Sequence, residues 1–269
     1  MAQSTKEKMS TRHLLVVLTG IMITFGCSAL CFSTWGLFQP VVAEGLGVEK
    51  TAFAMYVTVM YLTMTVASPF AGKLLQSMDA RVILSGSAIL VVAAFLLMSI
   101  ANTIVLFYVA AVMLGLGEIT LLWLAVPTLI NRWFADRAGF FIGLCMAFTG
   151  IGGVIFNPIG TALINMGPEG WRTGYLVFGI IVLVVTLPFT AFVVRSKPSD
   201  KGVQAYGADE VSADAGKPVA PEVGVSADKA MKTAAFFALA GFSFLITVNQ
   251  TVYQFLPSYC ASFSNTVPE

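Results

Sequence analysis

The chain has 269 residues, 57% of them hydrophobic and only 11% charged, with a mean hydropathy of +0.85 and a net charge of +1. A soluble domain carries about 25% charged residues, so a water-soluble globular protein is excluded. Without a basic–aromatic patch, the near-zero net charge also gives nucleic acid nothing to bind.

Seven apolar runs follow in chain order: His13–Phe38, Ala52–Leu75, Val82–Ala101, Thr103–Ile130, Gly139–Ile164, Tyr175–Val194 and Ala234–Leu256. Each reaches the ~20 residues that a helix needs to cross a ~30 Å hydrocarbon core. Transmembrane strands are about half that length and alternate in polarity. The runs therefore predict an all-α, multi-pass integral membrane protein whose first partner is the lipid bilayer. The first run follows a basic start, as a signal peptide does. It is too long for an h-region, however, and Trp35-Gly36-Leu37-Phe38 is no small-residue cleavage site.

The polar segments between the runs alternate between the two sides of the membrane. One side receives Lys6, Lys8, Arg12, Lys73, Arg81, Arg132, Arg137, Arg195, Lys197, Lys201, Lys217, Lys229 and Lys232, and the other only Lys50 and Arg172. Basic residues are retained in the cytoplasm, which predicts a cytoplasmic N-terminus in a plasma (inner) membrane. Residues 1–194 read as a six-span bundle with short loops: barely Asn102 between runs three and four, and Asn131–Ala138 between four and five. Residues 195–233, rich in Ala, Gly, Pro, Ser and charge, read as a disordered cytoplasmic linker. Residues 234–269 hold one further span, the start of a second bundle that is apparently truncated. Alternating access needs two bundles around a midplane site, so these residues alone are expected not to transport efficiently.

Glu118, near the middle of the fourth run, is the one Asp or Glu inside any of the seven runs, and the one charged residue there apart from Lys73 at the very end of the second. A carboxylate at that depth costs roughly 2.5–3.5 kcal/mol on insertion scales and must face protein or water. Intramembrane acids mark proton and ion pathways, so Glu118 is the proton-coupling candidate. The other reading is a protonated acid that ties two helices together by hydrogen bonds. In the fifth run, Gly143, Gly150, Gly152 and Gly153 read as a tight helix–helix seam. Asn157, beside the bend expected at Pro158, reads as a cavity contact. Asn249, Gln250, Tyr253 and Gln254 make the seventh run's outer half polar, suiting a water-lined face, although interfacial anchoring explains Tyr253 equally well.

Cys27, Cys31, Cys145 and Cys260 lack C-x-x-C spacing. Cys27 and Cys31 share a helix face but read as packing residues rather than ligands. His13 reads as interfacial. With no P-loop, no nucleotide-binding glycine turn and no Ser/His/Asp set in a soluble domain, the reading is of no enzyme, no cofactor and no metal.

Several stretches together carry a family resemblance. They are Phe32–Pro40, Gly72-Lys73-Leu74 with Arg81, Gly115-Leu116-Gly117, Arg132-Trp133-Phe134-Ala135-Asp136-Arg137-Ala138-Gly139, Arg195-Ser196-Lys197-Pro198-Ser199-Asp200-Lys201-Gly202, and Tyr206-Gly207. In this order they resemble the major facilitator superfamily, in its oxalate/formate-antiporter and monocarboxylate-transporter branch. The resemblance implies an N-terminal half plus the first span of a C-terminal half. It implies small organic anions as substrates, moved by proton symport or anion exchange. It also implies a gate at the cytoplasmic side, for which Gly72, Arg81, Arg132, Asp136 and Arg137 are the candidates. The loop after the second run departs from the superfamily's usual G-x-L-x-D-R-x-G-x-R/K: Gln76, Ser77 and Asp79 replace the acid, the first arginine and the second glycine. A pair between Arg81 and Asp136 would compensate, although a wet pair is worth only ~0–1 kcal/mol. Apart from Lys73, at the very end of the second run, no Lys or Arg lies inside a run, so the counter-charge for an anion is expected in the C-terminal half. Two alternatives are a seven-span receptor or sensor and a major facilitator of a non-carboxylate solute. The receptor fits poorly with a cytoplasmic N-terminus. The oligomeric state is open.

Overall fold

Six of the seven apolar runs form helices long and apolar enough to cross a membrane in the computed structural model, which describes residues 9–195, 198, 204–207 and 227–264. They are α1 (Thr11–Phe32), α3 (Lys50–Ser77), α4 (Ala80–Ser99), α5 (Ile104–Trp133), α6 (Ala138–Ile164) and α7 (Gly170–Val193). A separate α2 (Trp35–Gly45) lies between α1 and α3. The described residues contain no strand, and the chain is an integral, multi-pass, all-α membrane protein.

Two boundaries differ from the expected ones. The first run extends to Phe38, but α1 stops at Phe32 and the chain turns through Ser33 and Thr34 before α2. There the Thr34 hydroxyl donates back to the Leu30 carbonyl at 2.6 Å, a local bond that competes with the helical ladder. At the other end of the bundle's sequence, α7 begins at Gly170 rather than Tyr175. The fully buried Trp171 anchors that extra turn, and it brings Arg172 into the helix.

Three of the helices widen locally to π-turns: α1 at Thr24–Ser28, α5 at Ile119–Ala125, and α7 at Val182–Thr186 and Phe189–Val193. Prolines account for the π-turns at Ile119–Ala125 and Val182–Thr186. Pro127 and Pro188 have no N–H, and each ring crowds the carbonyl four residues earlier, so the preceding turn loosens. In α1 the cause is a side chain: the Thr24 hydroxyl bonds the Gly20 and Ile21 carbonyls of its own helix, and also the Cys145 carbonyl of α6 at 2.7 Å.

Two compact units are resolved, residues 1–208 and 209–269. In the first, α5 packs on α3 and α4, α4 packs on α7, and α1 packs on α6. These contacts rest on absent side chains. A Cβ at Gly117 would strike Val91, and one at Gly152 would strike Ala29 Cβ and the Phe25 carbonyl. The seam expected along α6 is thus built by Gly152 and Gly153, while Gly143 and Gly150 face open space.

The first unit extends past α7 because residues 204–207, inside the segment expected as linker, dock on the turn between α5 and α6. Tyr206 forms a parallel bridge with Phe134: its N–H donates to the Trp133 carbonyl at 2.9 Å, and its carbonyl accepts from the Ala135 and Asp136 N–H groups. The His13 ring meets those of Phe134 and Tyr206 edge-on, and the His13 Nε2 lies 3.1 Å from the Gln204 carbonyl. His13 is therefore buried among aromatic rings.

Arg172 holds the opposite end. Its guanidinium donates to the Ala101 and Ser99 carbonyls at 2.7 and 3.3 Å and to Asn102 Oδ1 at 2.8 Å. It also pairs with Glu169 and lies 4.2 Å from the Trp171 ring centre. Those carbonyls close the C-terminus of α4, where the backbone has no helical partner. Arg172→Ala is expected to destabilise the bundle by about 2–3 kcal/mol, read as a lower melting temperature in detergent. Arg172→Lys should recover only part, because a lysine cannot span several acceptors.

The second unit holds α8 (Ala227–Ala230) and α9 (Ala234–Ser264). The seventh apolar run lies within α9, whose stretch Ala234–Gln250 is apolar.

Candidate functional site

Glu118 is the last residue before the π-turn of α5, and it is completely buried. Its partners come from the π-turn of α1. Cys27 Sγ donates to Oε1 at 3.0 Å, and the Ser28 hydroxyl donates to Oε2 at 2.8 Å. Cys31 stands one turn further along α1, and the ligand atoms of Cys27, Cys31 and Glu118 all lie within 4.8 Å of one another. The π-turn of α1 therefore meets the residue that precedes the π-turn of α5, and such widened turns are common at functional sites; together they bring a carboxyl, two thiols and a hydroxyl to one point. Both carboxyl oxygens are satisfied, which is the condition for keeping such a group in an apolar interior.

This corrects the reading of Cys27 and Cys31 as mere packing residues: Cys27 is a direct partner of the buried acid, and Cys31 lies beside it. Ser28 was missed, as were Thr24 and Thr186, whose hydroxyls bond Cys145 and Met22 carbonyls across helices. Their signal was present as hydroxyl residues inside apolar runs, but the sequence does not say which helix they meet.

Glu118 has no exposed atom, so it lies inside the first unit's packing. Asn157 is half-buried in α6, and its own carbonyl accepts from the Thr161 hydroxyl at 3.0 Å. Asn249 and Gln250 are exposed on α9, and the side chain of Tyr253 lies outside the described residues.

At the basic end, Gly72 is half-buried in α3 with open space where a Cβ would be. The expected pair between Arg81 and Asp136 does not form. Arg81 reaches the Phe192 carbonyl of α7 at 3.3 Å, and Asp136 pairs with its neighbour Arg137 at 3.3 Å. The reason lies in the turn: Arg137 takes a left-handed conformation, φ 56°, as it starts α6, and this brings it to Asp136. Arg132 is half-buried at the end of α5. Asp79, which replaces a glycine of the expected motif, caps α4 by accepting from the Arg81 N–H at 3.0 Å.

Comparison with known proteins gives a consistent picture. The family model described as Major Facilitator Superfamily matches residues 21–266. An uncharacterised 38 kDa protein of Thermoproteus tenax is 28% identical over 173 residues, covering 62% of this chain and 45% of the relative. An oxalate:formate antiporter of Oxalobacter formigenes is 25% identical over 173 residues, covering 64% and 40%. An MFS-type transporter of Aspergillus niger is 23% identical over 192 residues, covering 70% and 43%. The chain spans less than half the length of these relatives.

Proposed function

The chain belongs to the major facilitator superfamily, and from that premise we propose that it serves transmembrane movement of a small organic anion by alternating access. The substrates in view are a monocarboxylate such as formate or lactate, or oxalate, carried by proton symport or anion exchange. What supports this class is the similarity to the Oxalobacter formigenes protein, whose printed activity is oxalate:formate antiport. It is read as a transporter and not an enzyme.

In this reading Glu118 takes and releases the coupling proton. The Asp136–Arg137 pair, Arg132, Gly72 and Arg81 form the gate at the cytoplasmic end, with Arg81 acting through the carbonyl of Phe192. Asn157 is the first unit's candidate for a substrate contact, and Asn249, Gln250 and Tyr253 are the second unit's. The protein, expressed from its own gene and reconstituted in liposomes, should take up labelled formate, lactate or oxalate. A proton gradient or a trapped counter-anion should drive that uptake. Uptake of none of the three under either driving force overturns the substrate class.

The one-sided distribution of Lys and Arg supports a cytoplasmic N-terminus, and the reading puts the chain in a plasma (inner) membrane. Reporter fusions within residues 165–169 and 195–233 are expected to report opposite sides. Two reports from the same side overturn the orientation.

A further inference from the structure

The cluster between α1 and Glu118 of α5 has a composition that transport does not require. Two thiols, a carboxyl and a hydroxyl converge within one small volume, all of them completely or almost completely buried. Cys27 and Cys31 are one helical turn apart on the same face of α1, so a single ion can draw on both without moving the backbone. Glu118 approaches from α5, and the Ser28 hydroxyl sits beside its second oxygen. Thiolate, thiolate and carboxylate oxygen, with a hydroxyl or water as the fourth donor, form a tetrahedral set suited to a d10 cation.

We propose that Cys27, Cys31 and Glu118 form a binding site for a divalent d10 cation of the zinc class, bridging α1 and α5 in the membrane interior.

Charge balance favours this site in an apolar setting. Binding releases the two S–H protons, and the two thiolates neutralise the divalent ion. Glu118 can then give a carbonyl oxygen while still protonated, so no net charge enters the interior. Alternatively it binds as a carboxylate, leaving the site at one negative charge. Deprotonation makes affinity rise with pH, with protons released on loading. An occupied site would join α1 to α5 by bonds far stronger than the two hydrogen bonds there now. It would also remove Glu118 from proton exchange.

The test uses the full chain, purified in detergent, stripped with a chelator and titrated with Cd2+. The near-ultraviolet thiolate-to-cadmium absorption is expected to saturate at one ion per chain and to be reversed by Zn2+. The double variant Cys27→Ser, Cys31→Ser should lose the signal, whereas Cys145→Ser should keep it. Glu118→Gln should weaken binding by about tenfold or more. Helical circular dichroism and elution volume establish that each variant is folded. X-ray absorption of the zinc-loaded wild type gives a readout that needs no variant, with two sulfurs expected at about 2.3 Å. Absence of a wild-type cadmium signal, its persistence in the double cysteine variant, or a zinc shell without sulfur would each overturn the site.

Discussion

Replacing Gly152 by leucine is expected to abolish the folded bundle, while the same change at Gly150 leaves it intact. The two positions share α6, so helix propensity and apolarity change equally. They differ in what a side chain meets. At Gly152 a Cβ runs into Ala29 Cβ and lies 3.0 Å from the Phe25 carbonyl, and at Gly150 it meets nothing within 4 Å. Phe25 and Ala29 belong to α1, and a backbone carbonyl cannot rotate away as a side chain can. Overpacking commonly costs ~1–3 kcal/mol, and an isobutyl group against backbone belongs at or above the upper end. In lipid the loss is harder to absorb, because helix association depends on close packing rather than on exclusion from water. Monodisperse yield in mild detergent and resistance to trypsin provide the measurement. Equal behaviour of Gly152→Leu and Gly150→Leu would refute the seam.

The largest effect on activity is expected from Glu118→Gln. Glutamine keeps the shape of the side chain and one acceptor oxygen for Cys27. Its amide nitrogen can donate to Ser28, whose hydroxyl both donates and accepts. The fold should therefore survive, whereas a carboxyl that takes and releases a proton is gone. The expected result is loss of accumulation driven by a proton gradient, with exchange down a substrate gradient retained. Glu118→Ala should in addition lower stability by about 1–3 kcal/mol, because Ser28 and Cys27 are left buried without their acceptor. The decisive comparison is uptake against pH for wild type and Glu118→Gln at matched expression. Coinciding profiles and rates would assign Glu118 to holding α1 and α5 together.

Much of the fold could be read directly, because bilayer thickness and backbone hydrogen bonding leave a long apolar run few options. Apolarity does not register where a helix breaks or widens. The stop at Phe32 comes with the Thr34 hydroxyl's bond to the Leu30 carbonyl, and the early start of α7 comes from one buried tryptophan. At the site, Glu118 was conspicuous because a charge inside lipid is costly. Cys27 and Ser28 were not, since serine and cysteine pass without notice in an apolar helix. Only the packing of α1 on α5 turns them into its partners. The Arg81–Asp136 pair was a misreading for a similar reason: opposite charges at one end of a bundle were visible, but the left-handed turn at Arg137 was not.

The docking of Tyr206 changes where the chain departs from the bundle. Residues 204–207 lie at the α5–α6 turn instead of at the end of α7, and they are thereby fastened to a joint. Any rocking of α5 against α6 displaces the point of attachment, and tension applied from beyond residue 207 pulls on that same joint.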